Sequence, residues 1–219
     1  MSTVTFGELA TAAYCARKLY YRREDDDWAA PSGVEAVRGL AFEYDRLLAA
    51  PDRALADLPI AVEPAAWRTN LRRARDSLDA WAGLCDPADR DRTLEGKDCR
   101  GVAHKVLADP AGVSLVSAGD PPSQGVYEPH RVRAVAAAKA LAWERRAPVE
   151  HAYVEYPAHG TIRRVPLDGR RRAEYRRALR TARTIEGVPP RLADRSKCAA
   201  CEYRGSCGVE TRTLGSLLR

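Results

Sequence analysis

The chain has 219 residues, a mass of 24.1 kDa and a formal net charge of +6. That length supports one globular domain, and 45% hydrophobic with 30% charged residues exclude a disordered chain. No apolar run approaches the roughly 18 residues of a membrane-spanning helix, and no cationic stretch precedes an apolar one near Met1, so neither a signal peptide nor a membrane partner is expected. A cytoplasmic location is therefore expected. In a reducing compartment the six cysteines need an explanation other than disulfides.

Thr5 and Glu8 have capping-box spacing, with Leu9, Ala12 and Ala13 as the apolar stripe of a first helix that runs toward Cys15. The acidic stretch 24–27 reads as a loop. Ser32 and Glu35 form a second capping-box pattern ahead of Val34, Val37, Ala41, Tyr44 and Leu48, which predict one helix. Trp67, Leu71, Ala74, Leu78 and Trp81 predict another, starting near Pro64. Segments 93–107 and 113–116 are β-prone, and the turn 109–112 joins them as a hairpin. An alanine-rich helix is expected over 129–146, then strands 149–156 and 161–167 linked through His159 and Gly160. Asp168 is placed to cap a last helix that Gly187 ends before Pro189 and Pro190. Helix, sheet, helix, sheet, helix describes a mixed α/β domain.

Charge is unevenly spread. Residues 1–160 hold 21 Lys/Arg against 24 Asp/Glu, whereas residues 161–219 hold 15 against 6. Arginine outnumbers lysine 31 to 5, which suits contacts to phosphate or carboxylate. In the helix 168–187, Arg172, Arg176, Arg180 and Arg183 follow one another at intervals of three or four, opposite an apolar stripe of Tyr175, Ala178, Leu179, Ala182 and Ile185. Such a row is a solvated face unless it borders a groove, where it tracks phosphates; the partner expected for it is DNA.

The tail carries Cys198, Cys201 and Cys207 in a C-x2-C-x5-C pattern, a spacing that turns several thiolates toward one metal. A fourth ligand is available from Cys15, Cys85 or Cys99. Cys15 ends the first helix beside Arg17 and Lys18, which favour a thiolate, so it is preferred. Cys99 lies in a predicted strand and Cys85 just past a helix, positions that suit buried small hydrophobes. The site would then clasp two segments with 182 residues between them. Zinc and a cubane iron–sulfur cluster both use four thiolates, and the spacing does not separate them.

The segment 14–20 (Tyr-Cys-Ala-Arg-Lys-Leu-Tyr), followed far downstream by Lys197 and the cysteine tail, resembles the CRISPR-associated RecB-like exonucleases with a four-cysteine cluster, members of the PD-(D/E)XK or restriction-endonuclease-like superfamily. Ala16 stands where that family typically has proline. The resemblance covers nearly the whole chain and implies a restriction-endonuclease-like α/β core: a mixed central sheet flanked by helices, a helical region over 1–90, the nuclease-like core over 91–190 and a cysteine-rich metal-binding tail over 191–219. It also implies a 4Fe–4S cluster on Cys15, Cys198, Cys201 and Cys207.

The family's nuclease positions carry over one at a time. Gly39 to Glu43 matches G-x-x-x-H with glutamate for histidine, and Gly101 to His104 matches G-x-x-D with histidine for aspartate. Anchored on the turn at Gly119 to Pro122, the E-x-K positions are Leu115 and Ser117, and the following Q-x-x-x-Y falls near Arg133 and Ala137. Leu115 cannot ligate a cation, and Ser117 carries no charge to stabilise a developing oxyanion. The expectation is a DNA-binding relative of these nucleases, linked to CRISPR adaptation or another DNA-processing complex, with its activity weak or lost. Two alternatives differ in kind. One is an active single-strand exonuclease using manganese or magnesium on Glu43 and His104. The other is a non-enzymatic module whose metal staples two chain segments.

Overall fold

Thr5 both pairs in a short strand and starts the first helix. The structure, a computed structural model, describes residues 3–29, 32–193 and 196–208; residues 209–219 of the expected cysteine-rich tail lie outside the described residues. Strand β1 (Val4–Thr5) leads into α1 (Phe6–Tyr14), whose N-cap is the predicted capping box: Thr5 Oγ1 accepts from Glu8 N at 3.1 Å, and Glu8 Oε2 accepts from Thr5 N at 2.9 Å. Cys15, in extended conformation, separates α1 from α2 (Ala16–Arg23).

The second predicted helix differs. Its N-cap is Gly33 at φ 81°, with no side-chain cap from Ser32, and it breaks into α3 (Val34–Leu40) and α4 (Tyr44–Ala49). Next come α5 (Pro64–Ser77), α6 (Trp81–Cys85), β2 (Asp89–Glu95), β3 (Cys99–Leu107) and β4 (Gly112–Val116). The sequence pattern ran through Gly96, but the chain turns there and pairs β2 antiparallel with β3. Helix α7 (Glu128–Arg145), β5 (His151–Tyr156), β6 (Thr161–Pro166) and α8 (Gly169–Thr184) match the expected order. Asp168 caps α8 through Arg171 N at 2.8 Å, while the helix ends at Ile185 rather than at Gly187.

The sheet is mixed, in the order β1-β3-β4-β5-β6, with β2 on the other edge of β3. β1–β3 and β4–β5 are parallel, and the remaining neighbours are antiparallel. Helices α1, α7 and α8 pack together on one face, with α7 crossing β3, β4 and β5. Side chains of α3, α4, α5 and α6 build the second apolar cluster on the other face. The result is an α/β fold with a mixed central sheet flanked by helices. Gly160, at φ 60°, turns the chain between β5 and β6 against the backbone of Trp67, where a Cβ would come within 2.5 Å of the carbonyl oxygen. No helix among the described residues is long and apolar enough to cross a membrane.

One ammonium group joins these layers. Lys105 on β3 is fully buried, and its Nζ donates to Ala41 O at 2.6 Å, Leu84 O at 2.6 Å and Glu155 Oε2 on β5 at 2.9 Å. Ser114 Oγ on β4 donates to Glu155 Oε1 at 2.6 Å. All three ammonium protons and both carboxylate oxygens are therefore engaged. Lys105→Met leaves Glu155 buried without a counter-charge and should cost about 3–5 kcal/mol in urea unfolding. Adding Glu155→Gln should recover at least half of that loss.

Candidate functional site

Two places on this frame hold the residues expected to carry chemistry. The first is where the tail meets α1 and α2. Residues Ser196–Cys198 form a single 3-10 turn, Cys201 N donates to Cys198 O at 3.1 Å, and Cys207 N donates to Tyr203 O at 2.8 Å. These successive turns curl the C-x2-C-x5-C segment around the junction of α1 and α2. Cys15, Cys198, Cys201 and Cys207 line one cavity of about 20 Å³. Aromatic and basic side chains hold it closed. Tyr14 Oη donates to Lys197 O at 2.5 Å, Arg17 to Pro189 O at 2.9 Å, and Tyr21 Oη to Ser206 O at 3.2 Å. Lys18 pairs with Glu202 at 2.8 Å, Tyr203 Oη donates to Asp25 at 2.6 Å, and the Tyr21 and Tyr203 rings stack. Burial pushes the Tyr14 hydroxyl up, and the nearby Cys201, Cys198 and Cys15 sulfurs push it further.

The donor set fits a soft metal group: four sulfurs around one cavity, with cations at Arg17 and Lys18 to balance thiolates. Among the described residues, however, no three His, Cys, Asp or Glu side chains are gathered tightly enough to form an assembled metal site. The other two cysteines lie elsewhere. Cys99 is buried, with Tyr175 Oη donating to its sulfur at 3.4 Å. Cys85 sits in the opposite layer, where burial and then Asp45 push its thiol up to about 12.

The second place is where β3 and β4 separate. Their ladder pairs Lys105 with Ser114, so His104 and Leu115 stand opposite each other one step further on, facing α7 rather than Lys105's layer. There the His104 ring takes over from the backbone: its Nδ1 accepts from Val116 N at 2.6 Å. Burial pushes this imidazole down to about 3, and Arg133 on α7 and then Arg38 on α3 add to the effect. Burial and then Arg133 also pull down His130, whose Nδ1 lies 2.9 Å from Tyr156 Oη. Arg133 is itself lowered, by burial and then by Arg38. Arg38 pairs with Asp91, which lies opposite His104 on β2.

The charges of Arg133 and Arg38 thus both oppose a proton on His104, and Glu43 takes no part in this. Glu43 is exposed, caps α4 without a side-chain bond and pairs with Arg46. No hydrogen bond or ion pair joins Glu43 to His104 among the described residues. Asp109 stays in the β3–β4 turn, and Asp120 pairs with His159 at 2.9 Å. Arg38 was not a candidate from the sequence; its position three residues after Glu35 reads only as a helix-surface ion pair.

The arginine row of α8 divides. Arg172, Arg176 and Arg180 are exposed and have no ion pair among the described residues, but Arg183 pairs with Asp98 at 3.0 Å. Neighbouring arginines of the helix are also engaged: Arg177 with Glu128, and Arg170 and Arg171 with Glu174.

No family pattern matches the chain, and no curated protein matches it. A crystal structure of a protein called SSO0001 is similar at a TM-score of 0.43 and 15% identity, over 94% of this chain and 86% of that one. At that distance the likeness carries no argument about function.

The His104 environment makes stability depend on pH. The unfolded ring titrates near 6.5 and the folded ring near 3, so the unfolded chain binds the extra proton as pH falls, and stability is lost below about pH 6.5. His104→Asn keeps an acceptor for Val116 N and removes the titration. It should shrink the loss of unfolding free energy between pH 7 and pH 5 by about 2 kcal/mol.

Proposed function

We propose that the protein is an iron–sulfur relative of the RecB-like nucleases, with a PD-(D/E)XK type of core, which binds DNA and has lost most or all of its cleavage chemistry. The observation that carries this reading is the single cavity shared by Cys15 and the three tail cysteines. Tight local spacing and a distant fourth thiol are what a cubane cluster requires of this chain. Zinc would use the same sulfurs. When bound, a cluster supplies a rigid four-point crosslink between the α1–α2 junction and the tail. Tyr14 and Arg17 hold backbone carbonyls of the incoming segment in place for it, and Lys18 holds the Glu202 side chain.

The loss of catalysis rests on the chemistry at β3 and β4. A nuclease of this kind gathers carboxylates to hold divalent cations and a lysine to orient water. Here Leu115 and Ser117 occupy two of those positions, and the third, His104, is kept neutral by burial and by the charges of Arg133 and Arg38. The same two guanidiniums oppose a manganese or magnesium ion there on electrostatic grounds. DNA binding falls instead to α8, through Arg172, Arg176 and Arg180, which are free to meet phosphates. A place in CRISPR adaptation or another DNA-processing complex follows from the family resemblance alone.

Anaerobically purified protein should contain iron and acid-labile sulfide, both lost in Cys198→Ser. Zinc alone would remove the closest link to the nuclease family. The protein should bind single-stranded DNA and leave labelled strands intact with manganese or magnesium. Cleavage abolished by His104→Asn would replace this reading with the active exonuclease. The triple Arg172→Gln, Arg176→Gln, Arg180→Gln variant should flatten the slope of log affinity against log salt by about 2. An unchanged slope would exclude α8 as the DNA-binding face.

A further inference from the structure

A cavity of about 470 Å³, an ordinary size for a ligand site, is bounded by α1, α2 and the loop after α2. Lys18, Arg22 and Arg23 of α2 line it together with Glu8, Trp28 and Glu202. Its charges do not balance among themselves. Arg23 pairs with Glu8 at 2.6 Å and Lys18 with Glu202 at 2.8 Å, so both carboxylates are taken. Arg22 has no ion pair among the described residues, and its Nη1 is buried there without a hydrogen-bond partner. The guanidinium instead stacks on the ring of Trp28, which stays 47% exposed. By contrast, Trp67 is fully buried in the core and its indole N–H donates to Pro157 O at 2.7 Å. Trp28 is thus an aromatic face kept at the surface, backed by a cation with no counter-ion and set at the wall of a cavity.

We propose that this cavity is a nucleotide subsite for single-stranded nucleic acid, in which an unpaired base stacks on Trp28 and a neighbouring phosphate meets Arg22. An unpaired nucleotide offers both things the site lacks: a flat π-face for the indole and an anionic acceptor for the guanidinium. A simple anion would use Arg22 and leave the indole in water. An apolar partner would cover the indole and leave Arg22 without an acceptor. Duplex DNA keeps its bases stacked on one another, so the subsite selects a single strand. The proposal rests on the reading of the chain as a DNA binder and adds the contact that would tell a single strand from a duplex. Helices α1 and α2 both pack against α8, so the subsite and the exposed arginines of α8 belong to one layer of the molecule. Glu202, one wall of the cavity, comes from the cysteine-bearing tail, so the subsite is complete only when the tail is docked.

The test titrates the full chain with a thymidine oligonucleotide and with a duplex of similar length, following tryptophan emission and binding affinity. The single strand should quench the emission and the duplex should not. Trp28→Phe should abolish the quenching while retaining most of the affinity, because the smaller ring still stacks. Trp28→Ala should weaken single-strand binding at least about fivefold. Arg22→Gln should weaken it as well and flatten the slope of log affinity against log salt by about 0.7. If Trp28→Ala does not fold, Arg22→Gln is read in its place. Unchanged affinity in Trp28→Ala, quenching that persists in Trp28→Phe, or equal quenching by the duplex overturns the subsite and leaves DNA binding by α8 standing. No binding of the single strand by the parent chain overturns the subsite and the DNA-binding reading together.

Discussion

A single buried ammonium group sets the geometry on which the rest of this molecule depends. Lys105 reaches from the middle of the sheet to the carbonyl at the end of α3, to the carbonyl of Leu84 in α6 and to the carboxylate of β5. Each partner lies on a different element, so the Lys105–Glu155 contact ties strand register to helix placement. A one-residue slip of β5 would turn Glu155 onto the α7 face among alanines and strand the ammonium. The parallel pairing of β4 with β5, with Leu115 opposite Val154 and Val116 opposite Glu155, is thereby specified by charge as well as by apolar burial.

The residue before Lys105 has the opposite assignment. His104 faces α7, whose alanines 134, 136, 137, 138 and 140 are fully buried and let the helix lie close on the sheet. Gly96 shows how close: a Cβ there would meet Ala140 at 3.0 Å. With so little side chain between helix and sheet, a long residue on α7 has few places to go. Arg133 ends up with its Nε buried and without a hydrogen-bond partner among the described residues, and its charge helps to keep His104 neutral. Two neighbouring positions on β3 thus point to different layers, Lys105 into a closed network of hydrogen bonds and His104 toward α7.

Local signals were read correctly wherever local chemistry decides. The Thr5–Glu8 capping box, the hairpin at 109–112, the alanine-rich helix and the Asp168 cap all depend on residues a few positions apart. The misses have tertiary causes. The helix predicted through Ala41 breaks there, and the freed Ala41 carbonyl receives Lys105. Glu35, read as a capping-box partner for Ser32, pairs with Arg38 instead, because Gly33 at positive φ takes the cap position. Glu155 is the one carboxylate in β5 and Lys105 follows His104 in the apolar stretch 102–107, a legible oddity, but only the sheet order brings them together. The cysteine spacing was legible because it is local; the choice of Cys15 rested on its placement at a helix end beside Arg17 and Lys18. The charges of Arg38 and Arg133 act on His104 from two different helices, and no short-range pattern joins the three.

The clasp between the α1–α2 junction and the tail has a consequence for the order in which the molecule assembles. Cys15 is made early and Cys207 late, so the four sulfurs first meet after every strand of the sheet has been synthesised. Closing so long a loop costs only slightly more entropy than closing a shorter one, because the cost grows with the logarithm of length. It must nevertheless wait for the sheet and α8 to bring the two segments within reach. Any group captured by the thiols is therefore captured by a molecule that is already folded. Its presence would mark a finished chain, and its loss would free the tail while leaving the Lys105 network closed.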